Sequence, residues 1–264
     1  MIWRKMPVAL VMICLAAMWA WPEDKKAEPF RWQGTVAAGK MVEVKGVNGP
    51  VKAQAASGAQ VELEAIRSGN RSDPSKVEIK KIEHAGGVTF CAVYPSEDPS
   101  RPNECTPGEG GKMSVRNNDV KVEFAVRVPA GVKFVGRTVN GGVEASELSG
   151  DVEAYTVNGG IQIATRGWAQ GKTVNGGISA SLGNMNLSRP AEFSTVNGGV
   201  SVSFQSGVNA NLEAETVNGN IHTDFPLTVQ GKFGPKKIQG TLGSGGPTLR
   251  LATVNGSIQL QKNP

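Results

Sequence analysis

The tripeptide Val-Asn-Gly occurs seven times in this chain, with Asn at 48, 140, 158, 175, 197, 218 and 255. From Asn140 onward the copies follow one another at steps of 18, 17, 22, 21 and 37 residues. A recurrence of about 20 residues restricts the fold strongly, because each copy is one small unit that buries its apolar side only by stacking on its neighbours. The last step is close to two periods. It predicts a copy that has lost its motif near Ile238 to Gly246.

Alignment on Asn turns the copies into columns. The next residue is always Gly (49, 141, 159, 176, 198, 219 and 256). A corner that needs positive φ, which Gly adopts without cost, accounts for this constancy. The second position after Asn is looser, with Pro50, four Gly, Asn220 and Ser257. The third is always β-branched: Val51, Val143, Ile161, Ile178, Val200, Ile221 and Ile258. A polar column follows (Lys52, Glu144, Gln162, Ser179, Ser201, His222, Gln259), then a mostly apolar one. This period-2 alternation predicts a half-buried strand after every corner. It also holds before the corner, where Phe134, Val152, Ala169, Ala191, Leu212 and Leu249 share a column. Continued parity places the Thr and Asn of TVNG inward, able to hydrogen-bond from copy to copy, and the Val outward.

Asn-Gly is also a strong two-residue hairpin signal. A meander of hairpins, however, has no need for Thr, Asn and β-branched residues to return in identical register, whereas stacked rungs put like residues in contact. The reading is therefore an all-β chain, a β-solenoid resembling a parallel β-helix with rungs of about 20 residues. The corner pairs Asn140–Gly141, Asn158–Gly159, Asn175–Gly176, Asn197–Gly198, Asn218–Gly219 and Asn255–Gly256 form its turn ladder.

Residues 136–264 are the regular part and residues 30–135 a less regular β-rich part. Strands are expected there at Met41–Lys45, Val51–Ala55, Gln60–Ile66, Val77–Ile82, Val88–Val93, Lys112–Val115 and Val120–Val128. This part is read either as wider rungs or as a small sandwich capping the end. Residues 22–29 read as a linker. Residues 1–21 carry Arg4 and Lys5 and then an apolar run, Val8 to Ala20, short for a membrane span of about 20 residues. This is the layout of a secretory signal peptide or of an uncleaved anchor, the only membrane contact expected. Ile13 before Cys14 argues against lipidation.

Cys91 and Cys105 are the two cysteines past the leader. An even pair in an exported chain points to a disulfide, with two separate thiols as the alternative. No His stands near to complete a zinc shell, and no cofactor is expected. The net charge of +5 falls to about +3 without the leader and is scattered, which argues against nucleic acid.

GKMVEVKGVNGPVKAQ, the Val128-Pro129-x-Gly131 stretch, the Ser149–Val152 link and the repeated TVNGG resemble a family of exported bacterial proteins called putative adhesins, a domain of unknown function. The resemblance covers most of residues 30–260. It implies a β-solenoid and no established chemistry.

No nucleophile elbow, HExxH or P-loop pattern occurs. Polysaccharide-cleaving β-helices need clustered carboxylates on one face. The best polar cluster is His222 with Asp224 and, just before the corner, Glu215. Trp168, in the loop TRGWAQG, could stack on a sugar or cap a rung's core. The expectation is a non-enzymatic adhesin-like or scaffold protein of the periplasm or cell surface. Its partner would be an envelope glycan, a protein or a second copy. The alternatives are a carbohydrate-active enzyme using His222, Asp224 and Glu215, and a periplasmic partner of a membrane signalling protein.

Overall fold

The computed structural model describes residues 24–183, 187–205, 207–229 and 236–262. The leader expected over residues 1–21 lies outside them. The described chain is all-β, with one short 3-10 turn at Pro74–Lys76 and no α-helix among the described residues. Its strands form two sheets of eleven. Strands that precede a Val-Asn-Gly corner lie in one, here the leading sheet. Those that follow a corner lie in the other, the trailing sheet.

Alternation of the chain between the sheets builds the centre. Val152–Tyr155 is in the leading sheet, Ile161–Thr165 in the trailing, Ala169–Lys172 in the leading and Ile178–Leu182 in the trailing. Neighbouring strands are parallel and in register, so the columns are real neighbours: Val143 pairs with Val51 and Ile161, Ile178 with Ile161 and Val200, and Ile258 with Val200 and Ile221. Their side chains fill a hydrophobic cluster that runs from Val42 to Leu260. Burial of each large side chain there stabilises by roughly 2 kcal/mol.

The corners explain the motif. The Thr of TVNG is buried and its hydroxyl donates to the corner glycine carbonyl of the adjacent copy, as Thr156 does to Gly141 (2.7 Å) and Thr216 to Gly256 (2.8 Å). The Asn side chains lie outside the core rather than inward. Each amide nitrogen donates to the next amide oxygen, Asn158 to Asn140 at 2.9 Å and Asn197 to Asn175 at 2.7 Å, in one direction from Asn218 to Asn48. Parity breaks at the corner, and the ladder is made in solvent.

Positive φ is not the common demand on the corner glycines, for it occurs at Gly49, Gly176 and Gly198 and not at the other four. The demand is space. A Cβ on Gly141, Gly159, Gly176, Gly198, Gly219 or Gly256 would fall closer than 3.0 Å to the carbonyl oxygen of the corner glycine stacked against it. Backbone here packs on backbone.

Two details differ from expectation. Among the described residues, the segment from Ile238 to Gly246 is not a copy that has lost its motif. Thr248–Asn255 inserts between Ala191–Ser194 and Ala210–Asn218, so the Asn255 corner sits between Asn197 and Asn218, while Lys237–Leu242 pairs antiparallel on the outer side of Ala210–Asn218. At the other end, Lys112–Val115 is not a strand. Lys112 makes only an isolated bridge with Glu104, and Phe30–Gly34 is an additional strand on Val61–Gly69. Antiparallel neighbours close three of the four sheet ends. The trailing sheet ends at Ile221–Thr223, a parallel edge of three residues.

Candidate binding surface

The outer face of the leading sheet is occupied by its own interactions. Lys133 pairs with Glu153, and Tyr155 donates to the same carboxylate (2.9 Å). Gln170 donates to the Tyr155 hydroxyl, and the Arg137 guanidinium lies 4.1 Å from the Tyr155 ring centre. Burial, with the Glu153 charge, pushes the Tyr155 phenol up to about 12. Burial would raise Glu153 as well, but the Lys133 hydrogen bond and charge outweigh it and hold the carboxyl below its usual range. Further along, Glu192 bridges Lys172 (2.6 Å) and Arg250 (3.7 Å), and Arg250 reaches Glu213.

The Cys91–Cys105 disulfide clamps a loop over the end of this face. Beneath it lies Glu43, 1% exposed. Its carboxylate accepts from Arg137 (3.0 Å), the Thr89 hydroxyl (2.9 Å) and the Gly108 amide (2.8 Å). Lys45 donates to the carbonyls of Thr106, Gly108 and Gly110, and burial lowers its pKa. A buried carboxylate in an outward column carries no sequence signal, because the loop that covers it is remote in the chain.

Trp168 does not present a free ring. It is 6% exposed, its indole nitrogen donates to the Arg189 and Pro190 carbonyls, and Arg189 covers the ring at 3.7 Å. It is sealed at a corner of the stack, which removes the sugar-stacking role. His222 and Asp224 do meet, at 3.1 Å, on an exposed strand end. Glu215 faces out from the opposite sheet beside Lys237, so the three-residue cluster is not assembled. Among the described residues no group of three or more His, Cys, Asp or Glu could hold a metal ion.

The outer face of the trailing sheet is different. After each corner, Gly160, Gly177 and Gly199 leave a shallow trough, continued by Ser257 and lined by Gln162, Ser179, Ser201 and Gln259. No charged side chain lines it. Among the described residues, the Gln162, Ser179 and Ser201 side chains have no hydrogen-bond partner. Ser203, one column over, turns back to the Ala180 carbonyl. The corner valines, Val139, Val157, Val174, Val196, Val254 and Val217, stand 38–51% exposed as a ridge.

No protein-family model and no curated protein matches this chain. Among solved structures, the chain is similar to a putative cell adhesion protein from Clostridium sporogenes, at 13% identity and a TM-score of 0.46, over 89% of this chain and all of that one. It is also similar to a putative adhesin from Bacteroides fragilis, at 12% identity and a TM-score of 0.29, over 89% of this chain and 97% of that one. A putative adhesin from Parabacteroides distasonis gives 9% identity and a TM-score of 0.24 over the same shares.

Proposed function

We propose that this chain is a β-solenoid with rungs of about 20 residues, exported to the periplasm or cell surface, that works by adhesion-like binding rather than by catalysis. The observation that carries the reading is the contrast between the outer faces. One spends its polar groups on internal ion pairs and is part-covered by a clamped loop. The other keeps an uncharged polar strip in which Gln162, Ser179 and Ser201 have no partner among the described residues. A rigid stack with one unspent face suits the display of a binding surface. The disulfide fits an oxidising compartment, and the His222–Asp224 pair lacks the second carboxylate, Glu215, that the glycan-cleaving alternative calls for.

Co-sedimentation of the purified protein with peptidoglycan sacculi, outer-membrane vesicles and secreted polysaccharide tests this reading. Saturable binding to one fraction without release of sugar is the expected result. Released sugar, or no binding to any fraction, overturns it.

A further inference from the structure

The two glycines of the Asn-Gly-Gly corner answer different demands. The first is imposed by stacking, since a Cβ there would enter the neighbouring backbone. The second is not. A Cβ on Gly160 or Gly177 would meet its nearest neighbour, a stacked carbonyl oxygen, at 3.5 Å, an ordinary contact, and on Gly199 at 3.2 Å. None of these three takes up positive φ. The fold already accepts side chains in this column, with Pro50 at one end and Ser257 and Asn220 at the other. Yet Gly142, Gly160, Gly177 and Gly199 follow one another without a break. Packing accounts for part of the run, since a Cβ on Gly142 or Gly199 would meet a stacked carbonyl oxygen at 3.1 or 3.2 Å, but it leaves Gly160 and Gly177 unexplained; their effect is to keep the trough open.

The chemistry of the trough selects its occupant. The unpartnered row of Gln162, Ser179 and Ser201, followed by Gln259, presents amides and hydroxyls at the strand spacing, over about 14 Å from first to last. Ser179 and Ser201 pair in register, as do Gln162 with Ser179 and Ser201 with Gln259. An anionic polymer would find no cation in the lining. A protein surface with an apolar centre would find the lining's own apolar side chains, Ile161, Ile178 and Val200, already buried, the exposed valines standing outside the lining before the corner. A chain of hydroxyl groups can exchange its water for these donors and acceptors at little cost.

We infer that the trough is a binding site for a neutral, extended polysaccharide lying across the strands, parallel to the asparagine ladder. The inference rests on the adhesion-like reading and names its ligand class.

The test uses retention of the protein in gels that contain dextran, a soluble β-glucan or galactomannan, with alginate as the anionic control. The wild type should be retarded by at least one neutral polymer and not by alginate. The double substitution Gly160→Asn with Gly177→Asn places in the trough the side chain that Asn220 already carries in this column. It should weaken that binding about tenfold or more with thermal stability kept. Should that variant fold poorly, Gln162→Ala with Ser179→Ala and Ser201→Ala provides the second test, with a loss of about tenfold expected. Preference for alginate, no retardation by any neutral polymer, or full binding by the folded variants overturns the inference. If the variants still pellet with an envelope fraction like the wild type, the trough proposal fails and the adhesion-like reading stands. If the wild type pellets with nothing, the reading itself fails.

Discussion

The leading and trailing faces are woven by one chain that alternates between the two sheets, yet along the asparagine ladder they use polar side chains in opposite ways. On the leading face Glu153, Gln170, Glu192, Arg250 and Glu213 bond to one another or to their flanks, and Glu43 is buried under a disulfide-clamped loop. On the trailing face Gln162, Ser179 and Ser201 bond to nothing else among the described residues. Substitutions on the first face should therefore cost stability, and substitutions on the second should cost binding alone.

The sharpest test of that division lies at the corner, where the demands of stacking stop and those of the trough begin. Gly159→Ala forces a side chain into stacked backbone and should destabilise by about 3 kcal/mol or more. Gly160→Ala, one residue on, should change stability by about 0.5 kcal/mol or less. Chemical denaturation of the two variants checks both, and equal losses would break the distinction. Glu43→Ala removes a buried carboxylate from Arg137, Thr89 and Gly108 and should cost about 3 kcal/mol; a neutral result would mean that the covered end of the leading face is not held by its polar network.

Tyr94 gives a pH-dependent test of the same end. It is buried, its hydroxyl donates to the Val120 carbonyl, and its backbone carbonyl accepts from Asn103 of the clamped loop. Burial pushes its pKa up to about 12, against about 10 when unfolded. The folded state therefore favours the neutral phenol. The contribution is complete below pH 10 and disappears as pH rises to about 12, a loss of about 2–3 kcal/mol. Tyr94→Phe should flatten this part of the stability profile.

The smallest effects compare the faces directly. Glu192→Ala releases Lys172 and Arg250 and should cost about 1 kcal/mol, an effect weakened by salt. Ser179→Ala should leave the denaturation midpoint unchanged at any salt concentration.

Parity carried the sequence reading a long way. An inward Thr, an outward Val and a β-branched residue three after Asn follow from alternation alone, and parallel stacking follows from the likeness of the columns. What parity could not reach depends on contacts between segments distant in the chain. The corner glycines looked like a dihedral requirement, but they answer to a neighbour's carbonyl, which no single copy reveals. Glu43 reads as a strand residue of unknown fate until the Cys91–Cys105 loop lies over it. Trp168 was equally fit for sugar or core until Arg189 and Pro190 were placed beside it. The strand order was hidden too, because a gap of 37 residues reads the same whether a copy has decayed or the chain has doubled back.

That doubling back bears on how the molecule is made. Ala210–Asn218 is synthesised before Thr248–Asn255, but its place in the stack exists only once the later strand has been laid against Ala191–Ser194. At the opposite end Lys121–Val128 likewise wedges between the earlier strands Val51–Ala55 and Val61–Gly69. Assembly cannot then proceed strand by strand behind the ribosome. Both ends wait for strands that arrive late, and the long loops they close make that wait the slow part of folding.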